Sequence, residues 1–127
     1  MPTAMSSSGK RYVIVHADDF GFSPAVSAGI ARAAREGVLT STSLATNMPH
    51  ATAAAAMLTD LPQLGVGIHL NVSQGPALSE AGRRELAGPD EIMARSAMRV
   101  IVDVCRRPTL LGAIEAEFDA QVRWALD

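Results

Sequence analysis

The sequence predicts a parallel α/β fold, and three observations predict it. Extended apolar stretches alternate with helical periods across residues 11–71, the order that favours parallel strands. Residues 11–17 are β-branched and apolar with almost no polar alternation, as strands covered on both faces tend to be. The turn and cap residues Ser23-Pro24, Gly37, Asn47, Pro49 and Pro62 fall between these stretches rather than inside them.

Residues 11–17 read as the first strand. Ser23 is a natural N-cap and Pro24 a natural first helical residue. Val26, Ile30, Ala33 and Ala34 follow at helical spacing, and Gly37 ends that helix. Residues 38–45, VLTSTSLA, read as a second strand whose Thr and Ser residues still favour extended backbone. Asn47 and Pro49 open an Ala-rich helix that runs to Thr59 or Asp60, with Pro62 as its breaker. Residues 65–71, GVGIHLN, read as a third strand. Residues 72–90 carry Gly75-Pro76, Gly82 and Gly88-Pro89 and read as a long loop, a kind that is usually functional or mobile. Residues 91–106 read as a helix stopped by Pro108. Residues 109–126 read as a better one, with Leu111, Ile114, Phe118, Val122 and Ala125 on one face.

A chain of 127 residues suffices for one small domain with a core. Residues 1–10, small and polar, read as a loose tail, and residues 11–127 as the domain. A hydrophobic share of 48% and a net charge of −2 exclude a disordered chain and a basic surface, so nucleic acid is not an expected partner. The single cysteine, Cys105, rules out an internal disulfide, suits a reducing compartment and reads as core among its apolar neighbours. No apolar run approaches the ~20 residues of a membrane span, and residues 1–10 lack a signal-peptide core. The expected location is the cytoplasm.

In parallel α/β folds, sites gather at the carboxyl ends of the strands. The three ends here offer Asp18 and Asp19, then Ser43 and Asn47, then His69 and Asn71. Carboxylate and neutral imidazole together suit a divalent metal, zinc or magnesium. Neighbours on a strand point to opposite faces, so one carboxylate is expected to meet the metal and the other the substrate or water. Two like charges this close are also expected to push one pKa upward, as a general base requires. The plainer readings stand beside these: a solvated acidic turn, a core histidine at His69, a surface His50, and a His16 that only lines the site.

The run VIVHADDFGFSPAVSAGIARAAREGVLTSTSLATNMP resembles the opening of the YdjC-like carbohydrate deacetylases. The segment LGVGIHLNVSQGPAL is similar to the Gly-His-Leu-Asn block of that family, and RRPTLLGAIEAEFDAQVRWALD to its Glu-Phe-x-x-Gln helix. A subgroup associated with hopanoid biosynthesis falls within the resemblance. The resemblance implies an irregular, TIM-like (β/α) barrel and metal-dependent removal of acetyl groups from N-acetylated sugars or short oligosaccharides. It implies Asp19 and His69 as metal ligands, Asp18 as general base, and Asn47, Asn71 and Ser43 around the sugar. The family's third metal ligand is a later histidine, whereas His69 is the last histidine here. The chain therefore reads as the N-terminal portion of such a barrel, truncated, with activity expected only once the C-terminal half is supplied. His16 is a candidate substitute ligand. An incomplete parallel sheet leaves an edge unpaired, so a second copy of the chain is an expected partner.

Two other functions remain open from the residues. One is an α/β fragment or assembly module without turnover. The other is a magnesium-binding, phosphate-handling domain built on Asp18 and Asp19. That one needs an aspartate after the third strand and a late lysine, yet His69-Leu70-Asn71 stands there and Lys10 is the only lysine.

Overall fold

The computed structural model describes residues 11–127, so the tail expected at residues 1–10 lies outside the described residues. Strand β1 (His16–Phe20) is followed by helix α1 (Pro24–Glu36), β2 (Ser41–Leu44), α2 (Ala51–Met57) with a 3-10 turn at Leu58–Asp60, and β3 (Gly65–Ile68). These strands form one parallel sheet in the order β1-β2-β3. Then come β4 (Gln74–Pro76), α3 (Glu80–Glu85), β5 (Ile92–Ala94), α4 (Ala97–Arg106) and α5 (Leu110–Leu126). β4 and β5 pair antiparallel as a second, two-stranded sheet.

Helix α1 forms where its caps place it. The Ser23 hydroxyl accepts from the Val26 N–H, Pro24 opens the first turn and Gly37 closes the last. Its Ile30 joins Phe20, Leu44 and Ala54 in a core under the sheet, on which Trp124 of α5 packs. Burying Phe20 alone stabilises by about 1.5–3 kcal/mol and anchors the end of β1.

The Thr-Ser run of β2 does more than extend. The hydroxyl of Thr40 donates to the Val15 carbonyl, and that of Thr42 to the Ala17 carbonyl. Between and beyond them, Ser41 bonds the His16 ring and Ser43 donates to Asp18. Four consecutive hydroxyls therefore meet four consecutive residues of the neighbouring strand. Thr42 and Ser43 are buried, and partners of this kind are what make buried hydroxyls tolerable.

Several expectations are corrected. The first strand is paired at His16–Phe20, not over residues 11–17, because its partner begins only at Thr40 and Ser41, whose N–H groups both reach the Val15 carbonyl. Tyr12, Val13 and Ile14 lie before the paired part and are exposed, Val66 of β3 is half exposed, and Leu44 of β2 is buried in the core. The stretch at residues 72–90 is not an open loop: it contains β4 and α3, and Ser79 caps α3 through the Gly82 N–H. The helix expected over residues 91–106 starts only at Ala97, capped by Ser96, because Ile92–Ala94 is spent pairing with β4. Helix α5 buries Leu110, Ala113, Glu117 and Gln121 rather than the face of Leu111, which is exposed. Cys105 is exposed on α4, not core. No helix among the described residues is long and apolar enough to cross a membrane.

Candidate active site

The carboxyl ends of the three parallel strands meet in one cluster. Asp18 and Asp19 lie in β1, Ser43 in β2, and His69 follows β3, its N–H bonded to the Leu44 carbonyl at 2.8 Å. Asp18 Oδ1 is 3.6 Å from His69 Nδ1, and Asp19 Oδ1 is 3.6 Å from His69 Nε2. Both carboxylates therefore face the same imidazole, one on each ring nitrogen.

Strict strand alternation would forbid that, and the expectation of carboxylates facing opposite ways is corrected here. Asp19 has φ 67°, in the left-handed region, and the β1–β2 register slips between Ala17 and Phe20. The bulge turns Asp19 back to the side of Asp18. Asp is among the few side chains that enter this region readily. Gly21, at φ 93°, completes the bend; a Cβ there would press on Leu44 and on the Ala51 backbone.

Hydrogen counting assigns the donors. The carboxylate of Asp18 accepts only. The Ser43 hydroxyl, 2.9 Å away, therefore spends its one hydrogen on Asp18 Oδ1. Ser43 Oγ is also 3.0 Å from His69 Nδ1, so that nitrogen carries the hydrogen and donates it. With a neutral ring, the lone pair of His69 lies on Nε2, facing Asp19 Oδ1. By the same logic His16 donates from Nε2 to Asp18 Oδ1 at 3.2 Å and accepts on Nδ1 from Ser41 at 2.8 Å. His16 thus has both nitrogens engaged in this arrangement, one of them on Asp18.

The Asp18 carboxyl is held below the ordinary aspartate value, not above it as charge repulsion between the two aspartates suggested. The Ser43 hydrogen bond is the main cause; partial desolvation opposes it, and His69 and His16 add to the lowering. Ser43→Ala is expected to move the Asp18 titration upward, toward the ordinary value, with Asp18 carboxyl carbon NMR as the measurement. A midpoint that stays put would show that the hydroxyl is not the cause.

A cavity of about 300 Å³ opens beside the cluster, lined by Asp19, Phe22, Met48, His69, Asn71 and Ser73 among others. Asn71 reaches it directly. Ser43 and Asn47 stand behind its wall: the Asn47 amide donates to the carbonyls of Gln74 and Pro76 and its oxygen accepts from the Asn71 amide. Sequence reasoning missed what holds this wall from behind, namely Glu117 and Gln121 on α5, both fully buried. Spacing gave no signal, because Glu115, Asp119 and Arg123 share the helix at the same interval; only the Glu-Phe-x-x-Gln resemblance pointed to this pair.

The donor set can be tested against a metal. Two protein atoms bound to one zinc ion at ~2.0–2.2 Å lie roughly 3 to 3.5 Å apart, and His69 Nε2 and Asp19 Oδ1 at 3.6 Å are close to that. With the ring neutral and protonated on Nδ1, these two atoms are so placed that they could share a cation. Among the described residues, no group of three or more His, Cys, Asp or Glu side chains could hold a metal ion by itself. The fit extends to two donors.

Residues 12–127 match the family model described as YdjC-like protein. A carbohydrate deacetylase of Geobacillus stearothermophilus is 50% identical over 70 residues, which is 55% of this chain and 29% of the relative. A chitooligosaccharide deacetylase of Salmonella paratyphi B is 45% identical over 71 residues, 56% of this chain and 28% of the relative. The chain thus matches under a third of the length of these curated relatives. A solved structure from Enterococcus faecalis, described as a cellobiose-phosphate cleavage protein, superposes with a TM-score of 0.71 at 28% identity, covering 87% of this chain and 42% of the other. With the family model matched along almost the whole chain, and with the Asp-Asp and His69 segments meeting in one cluster, the chain belongs to the YdjC-like protein family.

Proposed function

We propose that this chain carries the catalytic centre of a metal-dependent deacetylase that hydrolyses the amide of N-acetylated saccharides. One observation carries the proposal: His69 Nε2 and Asp19 Oδ1 stand 3.6 Å apart, both on the wall of the cavity, with Asp18 Oδ1 at 3.6 Å from the other ring nitrogen. The relatives named as carbohydrate and chitooligosaccharide deacetylases support the substrate class. Residues 11–127 are read as one domain, a portion of an irregular (β/α) barrel, with the further donors coming from water or from outside the described residues.

Asp19 and His69 would hold a divalent ion, zinc or magnesium. When bound, such an ion polarises the amide carbonyl and acidifies water. Asp18 takes a proton from the attacking water and passes it to the leaving nitrogen. The C–N bond breaks, giving acetate and a free amino sugar. Ser43 and His16 keep Asp18 aimed and ionised. Phe22 and Met48 give the cavity apolar surface for the sugar and the acetyl methyl.

The test is acetate release from an N-acetylated chitooligosaccharide by protein carrying this sequence, with metal added and then chelated. Release that chelation abolishes supports the proposal; none at any metal concentration overturns it. Calorimetry on the chain itself is expected to show zinc binding weaker than nanomolar, because two protein donors are fewer than a catalytic site normally supplies. Nanomolar affinity abolished by His69→Ala would reveal a further donor.

A further inference from the structure

We propose that Gln121 is a positioning residue for this site, acting through the backbone of Asn71, and that Glu117 sets its orientation. The Asn71 N–H donates to Gln121 Oε1 at 2.9 Å, and Gln121 Nε2 donates to the Asn71 carbonyl at 2.6 Å. One planar carboxamide thus holds both polar groups of a single residue. Only a side chain with donor and acceptor in one rigid plane can do this.

The orientation of that amide is not free. Gln121 Nε2 also donates to Glu117 Oε1 at 3.0 Å. A carboxylate accepts only, so the NH₂ side of Gln121 faces Glu117 and the oxygen is left for the Asn71 N–H. Glu117 is fixed in turn by the Leu78 N–H, the Ser79 N–H and the Ser79 hydroxyl, at 3.0, 2.8 and 2.8 Å. The polar pair of α5 therefore ties the corner after β3 to the segment before α3.

That corner carries the site. Asn71 stands two residues after His69, and its own side chain accepts from the Ser73 N–H, the Ser73 hydroxyl and the Gln74 N–H while donating to the Gln74 carbonyl. Residues 69, 71, 73 and 74 all line the cavity beside Asp19. Releasing Gln121 lets the Asn71 peptide turn, so His69 and the cavity wall lose their common reference. The catalytic half of this inference rests on the deacetylase reading; the positional half does not.

The experiment compares Gln121→Met, which keeps length and bulk but removes both hydrogen bonds to Asn71 and the one to Glu117, with Leu61→Ala, a core substitution in the separate Ala31, Ala34 and Leu64 cluster that precedes β3. Both are expected to lower the melting temperature. Gln121→Met alone is expected to speed exchange of the Asn71 amide proton at least tenfold and to shift the His69 ring resonances in NMR spectra taken well below melting. Acetate release by protein carrying the sequence is expected to fall at least tenfold in kcat/KM, chiefly through kcat. If the two variants move the Asn71 and His69 signals alike, or neither moves them, the role is merely structural and the proposal is overturned. Should Gln121→Met fail to fold, Gln121→Asn gives the same readouts, since it keeps an uncharged carboxamide but is one methylene too short to hold both backbone groups of Asn71. Absent acetate release from the unsubstituted protein overturns the deacetylase reading, while the two NMR readouts still decide the positional one.

Discussion

Asp18→Asn is expected to keep the metal and lose the reaction, whereas Asp19→Asn loses both. General-base catalysis supplies on the order of 10²–10⁴-fold, and that is the drop expected for Asp18→Asn. The amide oxygen of the substituted residue still accepts from Ser43 and His16, so the local structure survives while the proton acceptor does not. Asp19 differs in its partner: its Oδ1 faces His69 Nε2 across 3.6 Å. A neutral amide is a poor ligand for a hard or borderline cation, so Asp19→Asn empties the site. Metal content by mass spectrometry and acetate release on both variants decide the matter. Metal lost from Asp18→Asn and retained in Asp19→Asn would exchange the two roles; no change in either variant would reduce the pair to a solvated strand end.

Glu117→Ala is expected to be the most damaging single substitution for stability. The carboxylate is fully buried and accepts from four donors. Removing it leaves two backbone N–H groups, a hydroxyl and an amide without their partner. Each unpaired buried group costs about 1–3 kcal/mol, less where water can enter. A total loss on the order of 3 kcal/mol or more is expected, a large part of the 5–15 kcal/mol that holds a domain together. Urea denaturation measures it, and a loss below about 1 kcal/mol would show that water replaces the carboxylate without strain.

What could be read in the residues was local. Ser23, Pro24 and Gly37 bound α1 because a cap acts within one turn of its own residue. The meeting of Asp18, Asp19, Ser43 and His69 was also legible, since parallel strands put their carboxyl ends together whatever their exact length. What escaped was set by partners distant in the chain. Where β1 begins depends on which hydroxyls of β2 stand opposite it. β4 contains Gly75 and Pro76, poor strand formers, and exists because Ile92–Ala94 lies beside it. On α5 apolar periodicity pointed to Leu111, yet the buried stripe carries Glu117 and Gln121, whose burial is tolerable only because residues 71, 78 and 79 supply partners. The roles of the two ring nitrogens of His69 and of His16 could not be read at all without the Ser43 and Ser41 distances.

The left-handed backbone at Asp19 narrows what evolution can place there. The local conformation admits glycine, asparagine and aspartate at small cost. The proposed chemistry admits aspartate; glutamate carries the same charge and does adopt positive φ at Glu91, but it is one methylene too long to set its carboxylate where Asp19 Oδ1 faces His69 Nε2. The two filters overlap in one residue type. A saturation library at this position, sorted first for folded protein and then for turnover, should pass glycine and asparagine through the first gate and return aspartate alone from the second.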